Sequence, residues 1–170
     1  NNLFTDPEKC VNHLRSLGRE IWAIEEPVRV GDVQGQSHVS EAMKSRIILD
    51  ESLYLKEQLL AYKNYDDTWI ANIRVSKCGG ILRSIDLAHA AQEQGIDVIL
   101  GAHVGETSIL SRAALTVGQS LNDPALARAG AFVRILVTED ISNPSLRFGF
   151  RGVLRSKRWD FANLPGLGLL

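Results

Sequence analysis

Four side chains with acid–base or ligand chemistry follow apolar, strand-like runs of this sequence. They are Glu25, Asp50, Arg74 and His103. In a β/α barrel the carboxyl ends of the parallel strands face one mouth, so we expect these four groups to share one site. Two carboxylates from neighbouring strands are hard oxygen ligands of the kind that Mg²⁺ takes in proteins. The pattern therefore predicts a magnesium site with a guanidinium and an imidazole beside it.

Each of these residues also has a structural explanation. A lone Glu or Asp at a strand end is more often a helix cap or a solvated loop residue than a metal ligand. Arg74 could be an ion-pair partner of either carboxylate, and His103 a hydrogen-bonded loop histidine. Lys77 could be a surface charge at a helix entrance, and Glu106 an acidic residue in the first turn of a helix. The repetition of polar groups at successive strand ends favours the functional interpretation.

The apolar runs predict strands that alternate with helices. The predicted strands are Ile21–Ile24, Arg46–Leu49, Trp69–Ile73, Val98–Leu100 and Ala131–Ile135. A first helix is predicted from a cap at Thr5 or Asp6 to Gly18, and further helices over Val39–Lys44, Leu53–Tyr62, Leu82–Gln94 and Ser108–Val117, with a loop over Val30–Ser37. This alternation is typical of parallel β/α units, and therefore of an α/β protein.

Five β/α units are fewer than a closed barrel needs, which is eight strands and about 250 residues. We therefore predict a partial barrel of the triosephosphate-isomerase type that lacks its first three units. The alternative is an open doubly wound sheet that binds phosphate at the Gly79–Gly80 turn. No Gly-x-Gly-x-x-Gly phosphate loop follows any predicted strand, which favours the barrel.

The composition is that of one globular domain, since 45% of the 170 residues are hydrophobic and 23% are charged. The net charge is -1, and the basic residues are scattered apart from a cluster at Arg155, Lys157 and Arg158, so nothing supports a nucleic-acid partner. No apolar run approaches the roughly 18 residues of a membrane span. Cys10 and Cys78 are too few for a zinc site or a disulfide framework, which favours a reducing, cytoplasmic location. The sequence enters a helix almost at once and has no initiator Met, so we expect a fragment or a processed piece.

An ordered set of five motifs covers nearly the whole chain and resembles the mandelate-racemase and muconate-lactonizing branch of the enolase superfamily. The motifs are Ile24-Glu25-Glu26-Pro27, Leu49-Asp50-Glu51-Ser52, Arg74-Val-Ser-Lys77-Cys-Gly79-Gly80, Gly101-Ala-His103-Val-Gly-Glu106 and Pro165-Gly166-Leu167-Gly168. The resemblance implies an α+β capping domain and a modified β/α barrel. Residues 1–170 would then be the C-terminal part of the barrel domain, without the cap and the first strands.

The resemblance also implies a chemistry, which is removal of the proton α to a carboxylate while Mg²⁺ holds the resulting enediolate. It assigns Glu25 and Asp50 as metal ligands on the fourth and fifth barrel strands. A third ligand is expected in an Asp-x-Asn sequence whose Asn is Asn1 or Asn2, so that the Asp would lie upstream. The catalytic lysines of the second barrel strand are expected upstream as well.

The sixth barrel strand departs from the family pattern, because Arg74 stands where related epimerases carry a catalytic Lys. A guanidinium stays protonated to about pH 12 and is a poor general base, so we expect Arg74 to bind or polarise the substrate carboxylate. His103 resembles the seventh-strand His of mandelate racemase without the Asp that pairs with it there. It is the best proton-transfer group in this sequence. Lys77 and Glu106 are predicted to contact substrate.

Together these inferences predict a Mg²⁺-dependent lyase or isomerase of small-molecule carboxylates, such as a dehydratase, an epimerase or racemase, or a cycloisomerase. The full-length protein is expected to be a homo-oligomer. The alternative is a non-catalytic barrel relative or scaffold subunit that has lost the catalytic Lys.

Overall fold

The computed structural model describes residues 2–63, 67–130, 137–142, 145–146 and 166–167. The strands are β1 (Ala23–Glu25), β2 (Arg46–Leu49), β3 (Trp69–Ile73), β4 (Asp97–Leu100) and β5 (Ala127–Arg128). The helices are α1 (Pro7–Ser16), α2 (Val33–Met43), α3 (Ile81–Glu93) and α4 (Ser108–Ser120), and a 3₁₀ helix covers Lys56–Tyr62. Helices therefore separate successive strands, as the sequence predicts.

The five strands form one parallel sheet in the order β1-β2-β3-β4-β5. The chain thus advances in one direction around the sheet, as in a β/α barrel. A doubly wound sheet would instead reverse its strand order at a switch point. The described strands form a half-barrel, and the predicted fold class is confirmed.

The main hydrophobic core contains side chains of β2, β3, β4, α3, α4 and the 3₁₀ helix. Side chains alternate along a strand between its two faces, and in β2 only Ile47 and Leu49 are fully buried. Every residue of the central strand β3 is buried. The residues of opposite parity in β2 belong to the other face of the sheet, which is the face that carries Asp50 at the strand end.

Helix α2 begins six residues before the predicted one. The loop predicted over Val30–Ser37 and the short helix predicted over Val39–Lys44 are both wrong in their bounds, because α2 covers Val33–Met43. Asp32 caps this helix, and its Oδ1 accepts a hydrogen bond from the Gly35 amide at 2.9 Å. A Cβ at Gly35 would lie 2.3 Å from Asp32 Oδ2, so the glycine gives room to the cap. The residue that resembled a loop former belongs to the first turn of the helix.

Other boundaries differ less. Helix α1 is capped by Asp6 as predicted, while the segment predicted as a helix over Leu53–Tyr62 is a 3₁₀ helix from Lys56. Strand β1 starts two residues later than predicted, and the short strand β5 was not predicted. The strand predicted over Ala131–Ile135 and the basic cluster of Arg155, Lys157 and Arg158 lie outside the described residues. Within the described part, no helix is long and apolar enough to serve as a membrane span.

Candidate active site

Glu25, Asp50 and Arg74 meet at the carboxyl end of the sheet. Glu25 pairs in register with Ile48, and Asp50 follows Ile48 by two residues, so both carboxylates lie on one face of the sheet. Arg74 Nη2 lies 3.2 Å from Glu25 Oε1 and forms an ion pair with Asp50 Oδ2. Carboxylates from two neighbouring strands therefore converge on a single guanidinium nitrogen.

Lys77 adds a second cation to the same place. Its Nζ lies 2.9 Å from Asp50 Oδ1 and donates to the backbone carbonyls of Asp50 at 2.8 Å and Asn72 at 2.7 Å. The Asp50 side chain is 0% exposed and the Lys77 side chain 9%. A buried carboxylate is tolerated only when it is paired in this way. We call Glu25, Asp50, Arg74 and Lys77 the carboxylate cluster.

The two carboxylates of the cluster influence each other. Burial raises the pKa of Glu25, and a hydrogen bond with Asp50 together with the charge of Asp50 raises it further, whereas Arg74 partly offsets the rise. The Glu25 side chain remains 44% exposed. A divalent cation bound between the two carboxylates would favour the charged form of Glu25.

Glu26, the next residue, faces the opposite way and is fully buried. Its Oε1 accepts from the amides of Asp50 and Ser52, each at 2.8 Å, and its Oε2 accepts from Gln36 Nε2 at 2.7 Å and Ser52 Oγ at 2.9 Å. Burial raises the pKa of Glu26, and the hydrogen bonds from Ser52 and Asp50 oppose that rise. The carboxylate thereby fixes the backbone at Asp50 and links it to α2.

His103, Ser76 and Glu106 form a second group, which we call the histidine cluster. Ser76 Oγ lies 2.7 Å from His103 Nδ1 and 3.3 Å from Glu106 Oε1. The same oxygen of Glu106 accepts from the His103 amide at 2.8 Å. The His103 side chain is 49% exposed and the Glu106 side chain 7%. Ser76 therefore links an accessible imidazole to a shielded carboxylate.

Gly101, at the end of β4, makes room for the arginine. A Cβ at this position would lie 2.1 Å from Asn72 Oδ1 and 3.0 Å from Arg74 Cγ. The first contact would force the Asn72 side chain to shift, and the second is tighter than most side-chain contacts in proteins. The absence of a side chain at Gly101 therefore lets Asn72 and Arg74 occupy their places beside the carboxylate cluster.

The structure brings the six predicted site residues to the carboxyl end of the sheet in two groups. Glu25, Asp50, Arg74 and Lys77 lie in the carboxylate cluster, and His103 and Glu106 lie in the histidine cluster. Sequence reasoning missed the contributions of Glu26, Ser76 and Gly101. Ser76 lies in the turn after β3, and its place inside the Arg74–Gly80 motif is the signal that could have indicated a role at the mouth.

The donor chemistry of the carboxylate cluster fits part of a Mg²⁺ site. Mg²⁺ binds through one or two carboxylates and keeps several waters, and two convergent carboxylates meet that requirement. Among the described residues, however, no group of three or more His, Cys, Asp or Glu side chains could hold a metal ion. Glu25 and Asp50 therefore amount to a partial ligand set.

Comparisons with known proteins agree with this architecture. The family described as enolase C-terminal domain-like matches residues 1–169. The N-succinyl-L-Arg/Lys racemase of Bacillus cereus is 33% identical over 108 residues, which make up 63% of this chain and 29% of that protein. The match with the crystal structure of that racemase covers 100% of this chain and 43% of the racemase chain, with a TM-score of 0.74 and 26% identity.

Two other solved structures are similar. Muconate cycloisomerase from Pseudomonas fluorescens has a TM-score of 0.76 and 25% identity, and the match covers 97% of this chain and 44% of the cycloisomerase. A dipeptide epimerase from Enterococcus faecalis, complexed with Mg and L-Leu-L-Tyr, has a TM-score of 0.72 at 23% identity over 86% of this chain and 41% of the epimerase. The chain spans less than half of each relative. It belongs to the C-terminal domain family of the mandelate racemase and muconate lactonizing enzymes in the enolase superfamily.

Proposed function

We propose that the intact protein containing this chain is a Mg²⁺-dependent isomerase or lyase that removes the proton α to the carboxylate of a small substrate. The observation that carries this proposal is the convergence of Glu25 and Asp50 on one nitrogen of Arg74. The racemase and epimerase relatives favour isomerisation of an amino-acid derivative or dipeptide over dehydration or cycloisomerisation.

In this proposal Glu25 and Asp50 hold the metal ion together with a further ligand from another part of the intact protein. When bound, Mg²⁺ supplies positive charge beside the substrate carboxylate, which lowers the cost of removing the α-proton. His103 accepts that proton at one face of the substrate. A base on the opposite face would come from a barrel strand outside this chain.

Arg74 and Lys77 have different roles in the proposal. The Arg74 guanidinium can donate two parallel hydrogen bonds, which suits it to a substrate carboxylate once Mg²⁺ neutralises the cluster. Lys77 Nζ makes two contacts with Asp50 and one with the Asn72 carbonyl, so its predicted contact with substrate would require it to leave the Asp50 carboxylate. The predicted substrate contact of Glu106 likewise stays a prediction.

The test is α-proton exchange in D₂O with a panel of dipeptides, N-acyl amino acids and acid sugars. We expect the intact protein to exchange the α-proton of at least one substrate with Mg²⁺ and not with EDTA. Glu25→Gln should lower exchange by about 10³-fold or more, which corresponds to about 4 kcal/mol of lost stabilisation. Glu41→Gln, on an exposed position of α2, is the matched control and should leave the rate unchanged.

A second candidate function is a non-catalytic relative, and one observation favours it. Both carboxylates of the cluster are already neutralised by the side chains of Arg74 and Lys77, so the fold has no need of a metal for charge balance. This alternative predicts that no substrate exchanges its α-proton. It also predicts that calorimetry detects no Mg²⁺ binding that depends on Glu25, so that Glu25→Gln has no binding to abolish. The residue 1–170 fragment by itself should bind Mg²⁺ weakly and be inactive, and measurable turnover by it would contradict the proposal.

A further inference from the structure

The histidine cluster contains a contact pattern that determines where the ring proton of His103 lies. Ser76 Oγ is within hydrogen-bond distance of both His103 Nδ1 and Glu106 Oε1. His103 Nδ1 and Glu106 Oε1 are 3.6 Å apart. Three polar atoms from two different loops therefore form a closed triangle, and only certain proton placements satisfy it.

A hydroxyl has one proton to donate, and a carboxylate only accepts. If Nδ1–H donates to Ser76 Oγ, the Ser76 hydroxyl is free to donate to Glu106, and each contact has a donor and an acceptor. If Ser76 donates to Nδ1 instead, oxygen lone pairs of Ser76 and Glu106 face each other at 3.3 Å without a proton. The first arrangement is favoured because the second sets the Ser76 oxygen against the Glu106 oxygen without a proton between them. The Glu106 side chain is 7% exposed, so little water is present to weaken that repulsion.

We propose that Ser76 and Glu106 are positioning residues that hold His103 in the tautomer with the proton on Nδ1 and the lone pair on Nε2. The relay supplies through Ser76 the acidic partner that the sixth strand lacks, since Arg74 stands at that strand end. It differs from a hydrolase triad, in which the acid binds the ring nitrogen opposite the nucleophile. Here Ser76 and Glu106 contact the same edge of the ring.

The inference deepens the proposed function and rests on it for its catalytic meaning. Nε2 forms a new N–H bond with the α-proton, the C–H electron pair stays on the substrate carbon beside the carboxylate, and the ring becomes an imidazolium. The hydrogen bond from Nδ1–H to Ser76 Oγ is present both before and after this step. Glu106 then faces the new positive charge without any rearrangement of the loop, which is the preorganisation that efficient proton transfer requires.

The direct test is ¹⁵N NMR of the intact protein labelled at histidine, with the His103 signals identified by their loss in His103→Asn. We expect a protonated Nδ1 and an unprotonated Nε2 at a pH where the ring is neutral. Ser76→Ala should abolish this preference, and Ser76→Thr should restore it because the hydroxyl is kept. Ser16→Ala, at the exposed end of α1, is the matched control and should leave the His103 signals unchanged.

The kinetic readout separates positioning from simple loss of structure. Ser76→Ala should lower kcat about 10- to 100-fold with KM changed less than about twofold, and Ser76→Thr should recover most of that loss. A wild-type His103 with its proton on Nε2, or a Ser76→Ala variant with unchanged tautomer and kcat, would overturn the relay. If no substrate exchanges its proton, the proposed function fails, while the NMR measurement still decides whether Ser76 and Glu106 set the tautomer.

Discussion

The two clusters at the mouth of the half-barrel differ in burial and in how their charged groups are paired. In the carboxylate cluster, Asp50 is fully buried and both of its oxygens are paired with cations. In the histidine cluster, the imidazole is half exposed and meets a shielded carboxylate through a neutral hydroxyl. The first cluster belongs to strand ends and the second mainly to the loop between β4 and α4.

This difference indicates that the two clusters suit different tasks. A buried ion pair is costly to break, because removing one partner strands a charge in a poorly solvated place. Such a cluster suits a group that must not move, such as a metal ligand. A half-exposed imidazole on a hydrogen-bonded hydroxyl can gain and lose a proton at little structural cost, which suits proton transfer.

The largest expected effect on stability is that of Lys77→Met. It leaves the buried Asp50 carboxylate with only one cation, and we expect the free energy of unfolding to fall by about 3 to 5 kcal/mol in urea titrations of the intact protein. Lys9→Met, at an exposed position of α1, is the control and should change it by less than about 0.5 kcal/mol. Equal effects of the two substitutions would show that the Lys77–Asp50 pair contributes nothing to stability.

Gly101→Ala should have the next largest effect. The added methyl group clashes with Asn72 and Arg74, so we expect a loss of about 1 to 3 kcal/mol and a displaced guanidinium. Thermal unfolding and Mg²⁺ titration calorimetry measure the two consequences. The control is Ala102→Ser, which adds a single atom next to Gly101. Gly130→Ala is less suitable because the φ of Gly130 is +125°, which a residue with a side chain rarely adopts. A Gly101→Ala variant with wild-type stability and Mg²⁺ affinity would contradict the close approach.

His103→Asn should affect stability little while it affects chemistry strongly. The side chain is 49% exposed, so the free energy of unfolding should change by less than about 0.5 kcal/mol. Substrate α-proton exchange should fall by about 10²-fold or more, since the general base is lost. A large loss of stability would remove the contrast between the two clusters.

The smallest effect concerns Cys78, which follows Lys77 and is buried. Burial raises the pKa of the Cys78 thiol, so less of the reactive thiolate is present at pH 8 and labelling by a disulfide reagent should be slow in the folded protein. Ser76→Ala should change this rate by about twofold at most. Lys77→Met should accelerate it, because the greater exposure of Cys78 outweighs the loss of the Lys77 charge that lowers the thiol pKa. Peptide mapping distinguishes Cys78 from Cys10.

Sequence patterns predicted the parallel strands and the polar strand ends because both depend on local periodicity. Glu25, Asp50 and Arg74 were expected at one site because the carboxyl ends of parallel barrel strands face one mouth. The start of helix α2 was predicted wrongly. The Asp32 cap is a local signal, but Gly35 behind it resembled a loop former, and the hydrogen bond from Gln36 to Glu26 is a tertiary contact that the sequence does not show.

The partners of the site residues were harder to predict than the residues themselves. Lys77 resembled a surface charge, yet its ammonium group is held by Asp50 and two carbonyl oxygens. Glu26 is adjacent to Glu25 and identical in type, and only the fold shows that it points into the layer between β1 and α2. Ser76 stands within the Arg74–Gly80 motif but was given no role there, and the role proposed for it follows from its contact with His103, 27 residues later in the chain.

The Glu26 carboxylate joins the outer helix layer to the main chain of Asp50. Amino-acid changes on α2 around Gln36 would therefore act through one buried hydrogen-bond network on the backbone at Asp50, at the mouth of the half-barrel. If the proposed function holds, protein engineering could change the Mg²⁺ affinity from the far side of the sheet, with Glu25 and Asp50 left in place.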